Sequence, residues 1–181
     1  GVIAVNITEE LHKLLWKYIQ QETFPRSVSN HHLGTMLALL GATYEMDEFA
    51  PKYQPQVVSN AKALAREIKG YPIKMEGDPS VDFTETHQAI INAGFGQGKY
   101  MARRLRQNHI LQNRQVLYCD MSTTDASGIR MGTQEMTRFG MGEGDFEQLA
   151  SYMSDIILRN KNLGSEITSF RQRFTTMHFC F

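Results

Sequence analysis

Ser127-Gly128-Ile129-Arg130-Met131-Gly132-Thr133 places one arginine between two glycines, with hydroxyl residues at both ends. No acidic residue stands within four positions on either side. The planar guanidinium suits a carboxylate or phosphate, which it can meet with two parallel hydrogen bonds. Gly128 and Gly132 would allow close approach of backbone and ligand. Spacing alone leaves two readings. The arginine meets an outside anion, or it is tied to a distant carboxylate of its own chain, which is the commoner arrangement.

Other clusters carry weaker chemistry. His31-His32 is a tandem pair whose side chains diverge on a helix, with no further ligand at metal spacing, so no metal site is expected. Gly94-Phe95-Gly96-Gln97-Gly98-Lys99 lacks the spacing of a phosphate-binding loop and reads as a flexible turn before a helix. Arg103, Arg104 and Arg106 read as a solvated helix face, and next as an oligomer surface. No G-x-S-x-G elbow supports a serine nucleophile.

The elements that position these residues follow from periodicity. Residues 2–5 read as a strand and Thr8 as a helix cap. Leu11, Leu14, Leu15, Tyr18 and Ile19 share one helical face, ended by Phe24-Pro25. Ser29 or Asn30 could cap a second helix with a stripe of Leu33, Met36, Leu37 and Leu40, where Gly34 and Gly41 would permit close packing. Pro51 suits the first turn of a new helix. Val57, Ala61, Leu64, Ala65 and Ile68 fill its apolar face, and Gly70 stops it. Strands are expected near 71–75, 88–91, 115–121 and 129–132. A basic helix covers 99–108. After Gly144-Asp145 comes an amphipathic helix with Phe146, Leu149, Ala150, Met153 and Ile157. Ser165 would cap a last helix bearing Ile167, Phe170 and Phe174. The tail Thr176–Phe181 reads as a strand or tucked arm packed on its own domain or a partner. This order, helix-rich and then mixed, predicts an α/β class with an α+β small domain.

Composition narrows function. Lys+Arg and Asp+Glu are both 19, so the net charge is zero, which argues against charge-driven binding to nucleic acid or membrane. No apolar run reaches the roughly 18 residues that cross a bilayer, and no signal peptide is visible. Cys119 and Cys180 read as buried, reduced thiols of a cytoplasmic protein. Ten methionines are many; most suit a core and a few could line a site. The apolar start at Gly1 suggests part of a longer protein.

The stretch SGIRMGT…MTRFGMGEGDF resembles the C-terminal region of serine hydroxymethyltransferases, where S-G-I-R-x-G-T precedes T-R-x-G-F. GVIAVN, AKALAREIKGYPI and ETHQAIIN, with His87 at a matching histidine, extend the likeness along the chain. FPRSVSNHHLGTMLALL is similar to the family's phosphate-side segment, with His32 matched and Ser29 standing where glycine amides are usual. The resemblance implies fold-type-I pyridoxal-phosphate architecture, with residues 1–44 ending the large cofactor domain and 45–181 forming the connecting helix and small domain. It implies that Arg130 binds the substrate carboxylate, with Ser127, Arg138, His32 and Ser29 as further substrate or cofactor contacts. The whole protein would be a cytoplasmic homodimer interconverting serine and glycine. The family's T-H-K lysine has no match here, so no catalytic residue is expected in this chain itself. The YCDMSTTDA loop is shorter than the family's folate-side loop, which leaves tetrahydrofolate open. A folate-independent threonine aldolase or transaldolase remains an alternative. So does a lysine-free, non-catalytic dimerisation module.

Overall fold

The computed structural model describes residues 9–30 and 32–181. The expected strand at 2–5, the Thr8 cap and His31 lie outside them. The chain divides into two compact units, Gly1–Glu48 and Phe49–Phe181.

In the first unit, α1 spans Glu9–Gln21. It gives way to a wide turn, Glu22–Ser27, in which Phe24 is extended and the Phe24–Pro25 peptide is cis. The helix α2 runs from Leu33 to Lys69 without interruption, so Pro51 does not start a new helix. Pro51 and Pro55 each remove one i→i−4 bond, at about 3 kcal/mol apiece. The continuous burial of Val57, Asn60, Ala61, Leu64 and Ile68 beyond them outweighs that cost. Early in α2 the expected stripe is not buried: Leu33 and Leu37 are 66% and 68% exposed, and nothing packs near Gly34 or Gly41 among the described residues.

The second unit is a four-stranded antiparallel sheet with helices on one face. The strands are β1 (Lys74–Glu76), β2 (Gln88–Asn92), β3 (Asn113–Gln115) and β4 (Gly128–Gly132), in the order β1-β2-β4-β3. Met75, Ala89, Ile91, Ile129 and Met131 point into the core. There they share a cluster with Leu64 and Ile68 of α2, Leu105 of α3 (Gly98–Gln107), and Phe146, Met153 and Ile156 of α5 (Glu143–Arg159). Ile167 and Phe170 of α6 (Gly164–Arg171) complete it. Burial on one face and polarity on the other is the usual pattern of an antiparallel sheet.

Several expected boundaries move for local reasons. The third strand is Asn113–Gln115, not 115–121. Beyond it, the Leu117 and Ser127 N–H groups donate to the Asp120 carboxylate at 2.8 and 2.9 Å, which ends the ladder. The helix α5 starts before Gly144, with extended Gly142 at its cap. The Asp145 carboxylate, one turn in, accepts the Gly142 N–H at 3.0 Å. Ser165 lies inside α6 instead of capping it, and Phe174 follows the helix but remains buried. A short helix, α4 (Gln134–Arg138), was not expected at all. The tail is an irregular arm that touches its own unit at a few points and stays largely exposed, Phe181 at 84%. Phe179 packs on the Tyr53 ring at 5.2 Å, Phe181 on Phe49 at 5.5 Å, and His178 N–H donates to Arg138 O at 2.7 Å.

The cysteine expectation also changes: Cys119 is exposed and Cys180 half-buried, both free. Among the described residues no helix is long and apolar enough to cross a membrane.

Candidate functional site

Strand alternation decides what Arg130 can do. Its neighbours Ile129 and Met131 point into the core, so Arg130 points to the opposite face. Directly opposed residues in antiparallel strands share a face. Arg130 therefore stands in a row with Ile90 of β2 and Asn113 of β3, and, one strand further, Glu76 of β1. Glu76 is the acidic residue of that row. It is already engaged, accepting Asn92 Nδ2 at 2.7 Å and facing Lys74 Nζ at 3.8 Å. Among the described residues no hydrogen bond or ion pair reaches the half-buried Arg130 side chain. The commoner arrangement, an internal carboxylate partner, is not the one found.

The two glycines flank Arg130 on its own face, two residues away in each direction. A Cβ on Gly128 would stand 2.7 Å from Gln115 O and 2.9 Å from a Leu117 methyl. At Gly132 a Cβ would overlap the Gln134 side-chain amide. Gly128 is thus required by the backbone that closes over the strand, whereas at Gly132 the Gln134 side chain could move aside.

Both ends of β4 are fixed. At the first end, Ser127 is fully buried: its hydroxyl donates to Asp120 Oδ1 and accepts the Gly96 N–H at 3.0 Å. The Ser127 hydrogen bond, followed by the Leu117 N–H, holds the Asp120 carboxyl below the usual aspartate value. Gly98 packs on the same segment. Its N–H donates to Ala126 O at 2.9 Å, and a Cβ would collide with that oxygen. The glycine-rich turn is thereby a clamp on the start of β4.

At the other end, Thr133 Oγ1 donates to Val57 O at 2.9 Å, and its N–H donates to His87 O at 3.0 Å. Thr137 Oγ1 donates to Thr133 O at 2.7 Å. Buried Asn60 donates to Thr137 Oγ1 at 2.8 Å and to Met141 O at 2.9 Å, and accepts from Gln56 at 2.9 Å. Tyr53 Oη donates to Gln134 O at 2.9 Å; burial raises its pKa, against the opposing charge of Arg138. This network was missed in the sequence. Its one signal is a polar residue, Asn60, inside the apolar stripe of α2.

The remaining candidates fall elsewhere. Arg138 ends α4, is half-buried and faces Tyr53 electrostatically. Ser29 and His32 are exposed residues of the first unit. Arg104 is not on a solvated face: it donates to the Ile157 and Ile156 carbonyls near the C-terminus of α5, where positive charge is favoured. Arg103 and Arg106 are exposed. No group of three His, Cys, Asp or Glu side chains among the described residues could hold a metal ion.

Comparison with known proteins gives the fold class, the C-terminal portion of a fold-type-I pyridoxal-phosphate transferase. The family model for serine hydroxymethyltransferase matches residues 1–153. Serine hydroxymethyltransferase of Methanosphaera stadtmanae is 40% identical over 163 residues, covering 87% of this chain and 38% of that protein. The enzyme of Archaeoglobus fulgidus is 38% identical over 175 residues, covering 93% and 40%. A crystal structure of L-threonine transaldolase from Pseudomonas fluorescens superposes with a TM-score of 0.75 at 29% identity, covering 87% of this chain and 37% of that one. The chain belongs to the serine hydroxymethyltransferase family. It spans about two fifths of the length of the curated relatives it matches.

Proposed function

We propose that Arg130 is the anchor for an amino-acid carboxylate, in a whole protein that interconverts serine and glycine. The observation that carries this is the unpartnered guanidinium on the outer face of β4, with its one cross-strand acid already engaged. A bidentate pair there would fix the substrate's orientation. Ser127, being buried, acts on strand position and not on the ligand. Arg138 adds a second positive charge, and the exposed Ser29 and His32 offer donors for a phosphate.

Pyridoxal phosphate is the cofactor the family implies. Its carbonyl needs a lysine amine kept neutral by burial or neighbouring charge. No lysine among the described residues is buried, and Lys74, on the Arg130 face, is paired with Glu76. These residues do not form the cofactor's site by themselves. The chain's own contribution is to bind and orient the carboxylate, in a protein that we place in the cytoplasm as a homodimer. Serine and glycine binding to the whole protein, with Arg130 intact and replaced by Ala, tests this. Unchanged affinity would remove Arg130 from the site.

A second reading is favoured by the likeness to L-threonine transaldolase and by the short loop at residues 116–122, where Tyr118 and Met121 are almost fully exposed. In it, Arg130 keeps its role while an aldehyde replaces the folate-borne carbon. Folate dependence of serine cleavage by the whole protein separates the two.

A further inference from the structure

The strand that turns Arg130 outward turns Met131 inward, to a cavity of about 280 Å³. Met131, Met136, Met141, Phe146, Leu149 and Phe170 line it, and three charged or titratable side chains join them: His109, Glu135 and Arg171. The volume sits at the small end for a ligand pocket, which suits one compact molecule. Methionine walls adapt to branched or aromatic shapes.

The charges set the ligand class. Arg171 donates to Phe174 O and lies over the Phe139 ring at 4.8 Å, yet no carboxylate among the described residues pairs with it. Glu135 is exposed and makes no side-chain hydrogen bond or ion pair among them. Both line one cavity without bonding each other, so a positive and a negative group stand apart beside an apolar hollow. His109 is held through Nδ1 by Thr168 Oγ1 at 2.9 Å. We propose that this cavity binds an apolar α-amino acid, with its carboxylate toward Arg171, its ammonium toward Glu135 and its side chain among the methionines. The site is separate from that of Arg130, on the other side of β4.

The test uses the 181-residue chain with methionine methyls labelled with ¹³C and followed by NMR. L-Leucine and L-phenylalanine should shift the Met131, Met136 and Met141 methyls saturably, and L-serine should not. The single-charge analogues 4-methylpentanoate and isoamylamine should bind at least about fivefold more weakly, each lacking one charge-assisted contact. Glu135→Gln, at an exposed position, should weaken L-leucine by a similar factor. Leu149→Trp should fill the hollow and abolish the shifts. Arg130→Ala should leave them unchanged, which separates this site from the carboxylate anchor. No shift at about 20 mM L-leucine, a range that would still reveal millimolar binding, overturns the proposal. So does isoamylamine matching L-leucine, which would show that the carboxylate contact to Arg171 contributes nothing.

Discussion

The two faces of β4 divide the work. Inward, Ile129 and Met131 join a cluster packed under helices; outward, Arg130 stands between two glycines with no partner among the described residues. The same contrast recurs along α2. Val57, Ala61, Leu64 and Ile68 are buried, whereas Leu33, Met36, Leu37 and Leu40 keep the same spacing and stay exposed. Periodicity declares that a face can be buried. Only a neighbour decides whether it is.

If the inner face carries stability and the outer face carries the carboxylate anchor, substitutions should sort by face. Phe146→Ala removes a fully buried ring and should cost about 3–5 kcal/mol in urea unfolding. A loss below about 1 kcal/mol would mean that the core is not packed as described. Asn60→Leu leaves Thr137, Met141 O and Gln56 to find other partners, and should cost about 1–3 kcal/mol. Because the network holds the far end of β4, amide exchange at Thr133 and Thr137 should rise in this variant more than at Ile91. Equal change at all three would make Asn60 a packing residue only. Asp145→Ala removes the Gly142 cap and should lower stability by about 1 kcal/mol.

Asp120 gives the comparison a pH signature. Its folded pKa lies below its unfolded value, so its contribution is present above the unfolded pKa and is lost as pH falls through the folded one. Asp120→Asn should therefore flatten the acid limb of stability below the ordinary aspartate range and leave the neutral-to-alkaline limb in shape. An unaltered acid limb would show that the Ser127–Asp120 contact does not form in solution. The smallest expected effect is that of Arg130→Ala on stability, within about 0.5 kcal/mol, since its side chain makes no bond to lose among the described residues.

Much of this was legible in the chain. The stripe from Val57 to Ile68, the β2 run from Gln88 and the Phe146–Met153 face were readable because each repeats at the period of the element it forms. Spacing alone left two readings for Arg130 and favoured an internal carboxylate, which among the described residues is not found. What stayed hidden depends on distant partners. The passage of α2 through Pro51 rests on burial beyond it. The end of β3 at Gln115 rests on Asp120 taking the Leu117 N–H. Arg104 looked solvated until α5 placed two carbonyls beside it. The glycines at 96 and 98 read as flexibility, yet they are fixed by their approach to Ala126 and Ser127.

The most direct test of the account is the affinity of the whole protein for L-serine and glycine, with Arg130 intact and with Arg130→Ala, alongside the unfolding midpoint of each. The account predicts binding weaker by roughly 100-fold or more, the loss of a desolvated charge pair of about 3 kcal/mol, with the midpoint unmoved. Unchanged affinity, or a fall in affinity matched by a fall in stability, would contradict it.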